Sequence, residues 1–149
     1  MQTALESAEP VAFAARLARD PLPGHPARSV FQPVGFDDPG FPPSIYDAMA
    51  LASGTQQAGE IVWSSLQTSL AVGERQGIAT YPVRDNARSI DGRPYTGAVV
   101  QYRPDGILDG HHVFAQLDEV KFQYRCFLAS AEAGHPTVFA PGGAGDACP

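Results

Sequence analysis

The sequence predicts an α+β fold in which one long helix and a short N-terminal helix pack on a small antiparallel sheet of about three to five strands. Three observations carry that expectation. Small apolar residues recur at helical spacing from about 44 to 75; Gly, Tyr and Asp-Gly are regularly spaced over 91–110; aromatic and β-branched residues alternate with polar ones over 120–128. With 149 residues and a hydrophobic fraction of 44%, the chain has the size of one domain. It is read as a single domain over 1–149 with a Pro-rich arm at 20–43 and a mobile tail at 136–149.

The elements follow in order. In EPVAFAARLARD, Pro10 stands where a first helical residue would, and Val11, Ala14, Ala15 and Ala18 keep helical spacing, so a short helix is expected from about 10 to 20. Seven prolines then fall between residues 20 and 43, which removes backbone donors and excludes long helices and central strands. Val30, Phe31, Val34, Phe36 and Phe41 make this arm too apolar for a plain linker, so its aromatic side chains are expected to dock on this subunit or on a neighbour.

The long helix opens with Ser44 followed three residues later by Asp47, a variant of the capping box. Ile45, Ala48, Met49 and Ala52, then Trp63, Leu66 and Leu70, keep the spacing. Gly54 and Gly59 each weigh about 1 kcal/mol against it and leave room for a kink or break near Ser53 within one helix over 44–75. Its polar side is almost uncharged, and small neutral residues permit close approach of another helix, in the same domain or in another copy. Phe36, Phe41, Ala48, Ala52 and Leu66 are therefore the candidate interface residues. The Ala/Gln-rich composition and the run TQQAGE are similar to structural proteins of bacterial refractile bodies, which implies self-assembly.

Over 91–110 the run DGRPYTGAVVQYRPDGILDG reads as a hairpin, with Pro104, Asp105 and Gly106 at the turn and ILDGHHVFAQ as the second arm. Gly97, Tyr102, Gly106 and Leu108 follow a pattern that resembles one MORN-type repeat of the YwqK-like variant. The resemblance covers about twenty residues and implies a binding surface rather than catalysis. Within the second arm, Asp109 and His111 share one side of a strand and are the candidate acid/base pair. No cofactor is expected; a metal at Asp109 and His111 would need a third ligand such as Glu119, His135 or His25. Segment 118–133 fits both templates, and its aromatic and β-branched density favours a strand through Leu128.

Composition narrows the rest. A formal charge of −6 without a basic run gives no footprint for nucleic acid. No apolar run reaches the roughly 20 residues of a membrane span, and the N-terminus lacks the pattern of a secretory signal, so a cytoplasmic bacterial protein is expected. Cys126 and Cys148 read as reduced thiols, although their pairing is left open. The favoured function is a non-enzymatic binding or self-assembling protein whose partner is itself or another protein. The alternative is a small enzyme or ligand-binding domain with a pocket between helix and sheet, lined by Trp63, Tyr102 and Tyr124 and using Asp109 and His111.

Overall fold

Glycines and prolines set most of the element boundaries. The computed structural model describes residues 9–149, and the N-terminal residues read above for a secretory signal lie largely outside the described residues. A short helix, α1 (Pro10–Ala14), is capped by Glu9, whose side chain accepts from the Val11 N–H at 3.4 Å. A 3₁₀ turn, Ala15–Leu17, closes it. The chain continues through β1 (Val30–Gly35), α2 (Pro43–Ser53), β2 (Gln56–Ala58), α3 (Ser65–Val72) and β3 (Ile78–Ala79). It then forms a hairpin, β4 (Ala87–Arg88) and β5 (Pro94–Tyr95), before β6 (Gly97–Tyr102), a 3₁₀ turn at Gly110–His112, α4 (Val113–Gln116) and α5 (Asp118–Glu132).

The main sheet is wholly parallel, in the order β1-β6-β2-β3. The last strand is inserted between the first two, with Val30 opposite Gly97 on one side and Gln56 opposite Ala98 on the other. Every residue of β6 is buried, as expected for a parallel strand covered on both faces. Ala98, Val100 and Tyr102 pack with Val113 and Val120 of α4 and α5, while Val99 packs with Val34, Ala50, Leu66 and Leu70 on the α2 and α3 side.

The predicted architecture is corrected at four places. First, the single helix over 44–75 is two helices with a strand between them. Gly54, at φ 69°, ends α2 in the left-handed conformation, and its N–H reaches the Ala50 and Leu51 carbonyls. Gln57 of β2 is fully buried, donating to the Glu60 carbonyl at 3.0 Å and accepting from Gln67 at 2.5 Å. Second, the sheet is parallel where 91–110 was expected to form an antiparallel hairpin. The true hairpin lies one turn earlier, where Ser89 N donates to the Arg93 carbonyl at 2.9 Å around Gly92 at φ 82°. Third, 118–132 is a helix rather than a strand, burying Val120, Phe122, Gln123 and Cys126. Fourth, part of the Pro-rich arm is strand β1; Pro33 is tolerated there because β1 is an edge strand with β6 as its one neighbour.

The C-terminal residues are tied to this frame. Val138 pairs with Val83 through hydrogen bonds of 2.8 and 2.9 Å, Thr137 N donates to Ser130 Oγ at 2.9 Å, and Cys148 is joined to Cys126 of α5 by a disulfide. Neither cysteine is a free thiol. Among the described residues no helix is long and apolar enough to cross a membrane.

Candidate functional site

The connections leaving β1 and β2 run to α2 and α3 on one face of the sheet, whereas the connection leaving β6 runs to α4 and α5 on the other. Adjacent strands whose connections part in this way leave a crevice outside their carboxyl ends, where ligands of open α/β sheets bind. Here β6 is flanked by two such crevices, one shared with β1 and one with β2.

The β1 crevice holds a buried carboxylate. After β1 the chain turns sharply at Asp37, whose φ of 60° is tolerated by a short polar side chain, and brings Asp38 under the N-terminal half of α2. The Asp38 side chain is 0% exposed. Its Oδ1 accepts from the N–H groups of Gly40 at 2.7 Å and Phe41 at 3.0 Å, and its Oδ2 accepts from the Tyr46 hydroxyl and from His111 Nδ1, the latter at 3.2 Å. Burial alone would raise the Asp38 carboxyl, but the hydrogen bonds from Tyr46, Phe41, Gly40 and His111 outweigh it and hold the group below its ordinary value. Burial, and then the neighbouring Asp38 charge, push the Tyr46 phenol far up, so it remains a donor. A carboxylate can only accept, so His111 carries its proton on Nδ1 and leaves Nε2 as the free ring nitrogen.

His111 reaches this position because two backbones touch. A Cβ on Gly110 would lie 2.0 Å from the Phe36 carbonyl oxygen, and one on Gly35 would lie 2.0 Å from that of Gly110, so only glycine at both places lets the β6 loop close over the end of β1. Asp109 Oδ1 then accepts from His111 N at 3.0 Å and caps the 3₁₀ turn. The imidazole stacks on Phe41, with ring centres 5.8 Å apart and planes 14° apart, and its side chain is 45% exposed.

The adjoining wall is equally fixed. Trp63 donates from Nε1 to Asp47 at 3.0 Å, Ser65 donates to the same carboxyl at 2.5 Å, and Gln101 Oε1 accepts from the N–H groups of Val62 and Trp63. Trp63 packs against Phe36 and Tyr46, with ring centres 6.4 Å apart in both cases. Phe41 and Tyr46 also border an apolar groove of about 670 Å³ lined by Gln32, Pro33, Pro42, Ile45 and Met49.

Of the residues singled out in the sequence, His111 is the one the structure places in a paired site, and its ring partner is Asp38 rather than Asp109. Phe41 forms the stacking surface under it, and Phe36 covers Trp63. Ala48 and Ala52 are half-buried on α2, and Leu66 lies in the core. The three aromatic residues expected to share a pocket are apart: Trp63 is on the α2 side of the sheet, Tyr102 is buried on the α5 side, and Tyr124 is exposed on α5. Among the described residues no three His, Cys, Asp or Glu side chains gather in a metal-binding group. Asp38 and Tyr46 were missed because FDDPGF reads as a turn and Tyr46 as one residue of an amphipathic helix.

Fold and site together define a parallel sheet with helices on both faces and an imidazole–carboxylate pair at its carboxyl edge. Comparison with protein-family models, curated proteins and solved structures gave no match, so the functional reading rests on the geometry above.

Proposed function

We propose that the protein acts on a small molecule at the carboxyl edge of its sheet, with His111 as general acid and base and Asp38 as the carboxylate that orients it. One observation carries this reading: an exposed imidazole is held by a fully buried carboxylate that three other donors fix in place. With Nδ1–H committed to Asp38, Nε2 is free to take a proton from water or substrate, and the imidazolium then formed sits beside a negative charge. Among the described residues no Ser, Thr or Cys side chain hydrogen-bonds to His111, so the base works on water or substrate rather than on a protein nucleophile. The apolar groove shares Gly40, Phe41 and Tyr46 with the site and would seat an apolar part of the substrate. The Cys126–Cys148 disulfide supports an oxidising compartment over a cytoplasmic one.

The test is a comparison of wild type, His111→Gln, Asp38→Asn and His112→Gln over chromogenic carboxylic, phosphate and glycoside esters and over proton exchange at activated C–H bonds. Turnover that is lost in the first two variants and kept in His112→Gln is expected. Equal rates in wild type and His111→Gln for every substrate turned over would overturn the proposal.

A further inference from the structure

The second crevice, between the carboxyl ends of β2 and β6, contains a cleft of about 230 Å³ that the His111 site does not use. Gly59 and Glu60, which follow β2, form one side; Tyr102 and Arg103, at the end of β6, form another; Tyr81 and Glu119 of the first turn of α5 complete it. Arg103 and Glu60 face each other across the mouth at 3.5 Å.

One group in this cleft is left unsatisfied by the fold. The Tyr81 hydroxyl is buried and has no hydrogen-bond partner among the described residues, a costly arrangement for a folded protein. Its neighbour Tyr102 is satisfied, donating to Gln123 Oε1, and Gln123 donates in turn to the Phe139 carbonyl at 2.6 Å. Gly59, at φ 78°, keeps the space open: a Cβ there would stand 3.0 Å from the Tyr81 hydroxyl and 3.4 Å from Val100 Cγ1. Burial raises the Tyr81 phenol; the Gln123 amide, a donor toward the phenolic oxygen, opposes the shift and the Glu119 charge adds to it, so the hydroxyl keeps its proton at neutral pH.

The cleft therefore presents a phenol donor without an acceptor, a carboxylate at Glu119, and an Arg103–Glu60 pair at the rim. A volume of 230 Å³ equals that of about eight waters, too small for a nucleotide and suited to a compact molecule with an anionic acceptor beside a cationic donor. We infer that the cleft between β2 and β6 binds a zwitterion of amino-acid size, its carboxylate accepting from the Tyr81 hydroxyl and its ammonium facing Glu119.

The experiment is saturation-transfer NMR on the full chain with an equimolar mixture of the standard L-amino acids, followed by titration of any responding member against protein with labelled tyrosine rings. At least one amino acid should respond and move the Tyr81 ring signals. The response should be lost in Tyr81→Phe and fall at least tenfold in affinity in Glu119→Gln, yet persist in His111→Gln, which separates this site from the one proposed above. Tyr81→Phe should also leave the denaturation midpoint unchanged or raised, because it removes an unsatisfied hydroxyl. No response from any amino acid, a response that survives both cleft variants, or a Tyr81→Phe protein of lowered midpoint would each overturn the inference.

Discussion

Replacing Asp38 by Asn tests the site at its foundation. The side chain keeps its size, and its Oδ1 can still accept from Gly40 and Phe41. The Oδ2 position becomes an NH₂ group, however, and donates where Tyr46 and His111 Nδ1 donate now. Hydrogen bonds to charged groups contribute about 1.5–3 kcal/mol each against about 0.5–1.5 for neutral ones. Two such bonds are lost or reversed, and the His111 one is weighed low because that ring is half exposed, so the expected loss is about 2–3 kcal/mol. For a chain of this length that is a fall in Tm of roughly 4–12 °C. The loss depends on pH in a definite sense. A carboxyl held below its ordinary value contributes stability above the unfolded pKa of about 3.9 and gives it up as pH falls through the folded value. Urea denaturation of wild type and Asp38→Asn should therefore show the full gap at pH 6 and a clearly smaller one at pH 3. Nitrogen-15 spectra of the imidazole should show Nδ1–H in the wild type and Nε2–H in the variant. A gap that is equal at both pH values, or a wild-type ring protonated on Nε2, would refute the reasoning.

Three further outcomes follow from the same geometry. Gly110→Ala drives a methyl against the Phe36 carbonyl and should cost about 1–3 kcal/mol, with disturbed His111 ring signals, measured by denaturation and NMR. Asp47→Ala leaves the Trp63 indole N–H and the Ser65 hydroxyl without their acceptor; a loss of about 2–4 kcal/mol and a red shift in emission are expected, and Trp63 is the sole tryptophan, so fluorescence reports it directly. Reduction of the disulfide, which spans a sequence separation of 22, should cost up to about 3 kcal/mol, seen as a lower denaturation midpoint with reductant; an unchanged midpoint would refute it.

The sequence was most informative where backbone demands are local. The start of α1 at Pro10 was legible, since it depends on the φ that one residue prefers; Gly54 marked a point where a helix could break, yet one helix was expected to run through it to 75, and the structure ends α2 there. Strand β2 was not, because a fully buried Gln57 lacks the apolar signal of a covered strand; its acceptability depends on Gln67 and Glu60, which the fold alone brings near. Segment 118–132 supported two periods at once, and the choice was made by the sheet it covers: Val120, Phe122, Gln123 and Cys126 meet β6 and the tail only as a helix. The run 91–110 was misread for a related reason. Its glycines and Asp-Gly suit a hairpin, but Gly97 is needed for close approach to the backbone of Thr55, and pairing with β1 and β2 took the strand into the centre. His111 was legible as a reactive residue type, whereas its partner is 73 positions away in sequence and no spacing rule could join them.

The loops that frame the site are held by side chains rather than left to close on a ligand. Asp38 fixes the loop after β1 through two backbone N–H groups, Gln101 fixes the loop after β2 through Val62 and Trp63, and the glycine contact at Gly110 fixes the loop after β6. A site assembled in this way is preorganised, so its groups need no reorganisation when a ligand or transition state arrives. Hydrogen exchange reads that directly. The amides of Gly40, Phe41, Val62 and Trp63, all outside regular strands and helices, should exchange as slowly as core amides of β6. In Gln101→Ala those of Val62 and Trp63 should speed up by an order of magnitude or more while Gly40 and Phe41 stay protected. Exchange of all four at the rate of exposed loops in the wild type would mean that the edge opens freely, and that His111 finds Asp38 only part of the time.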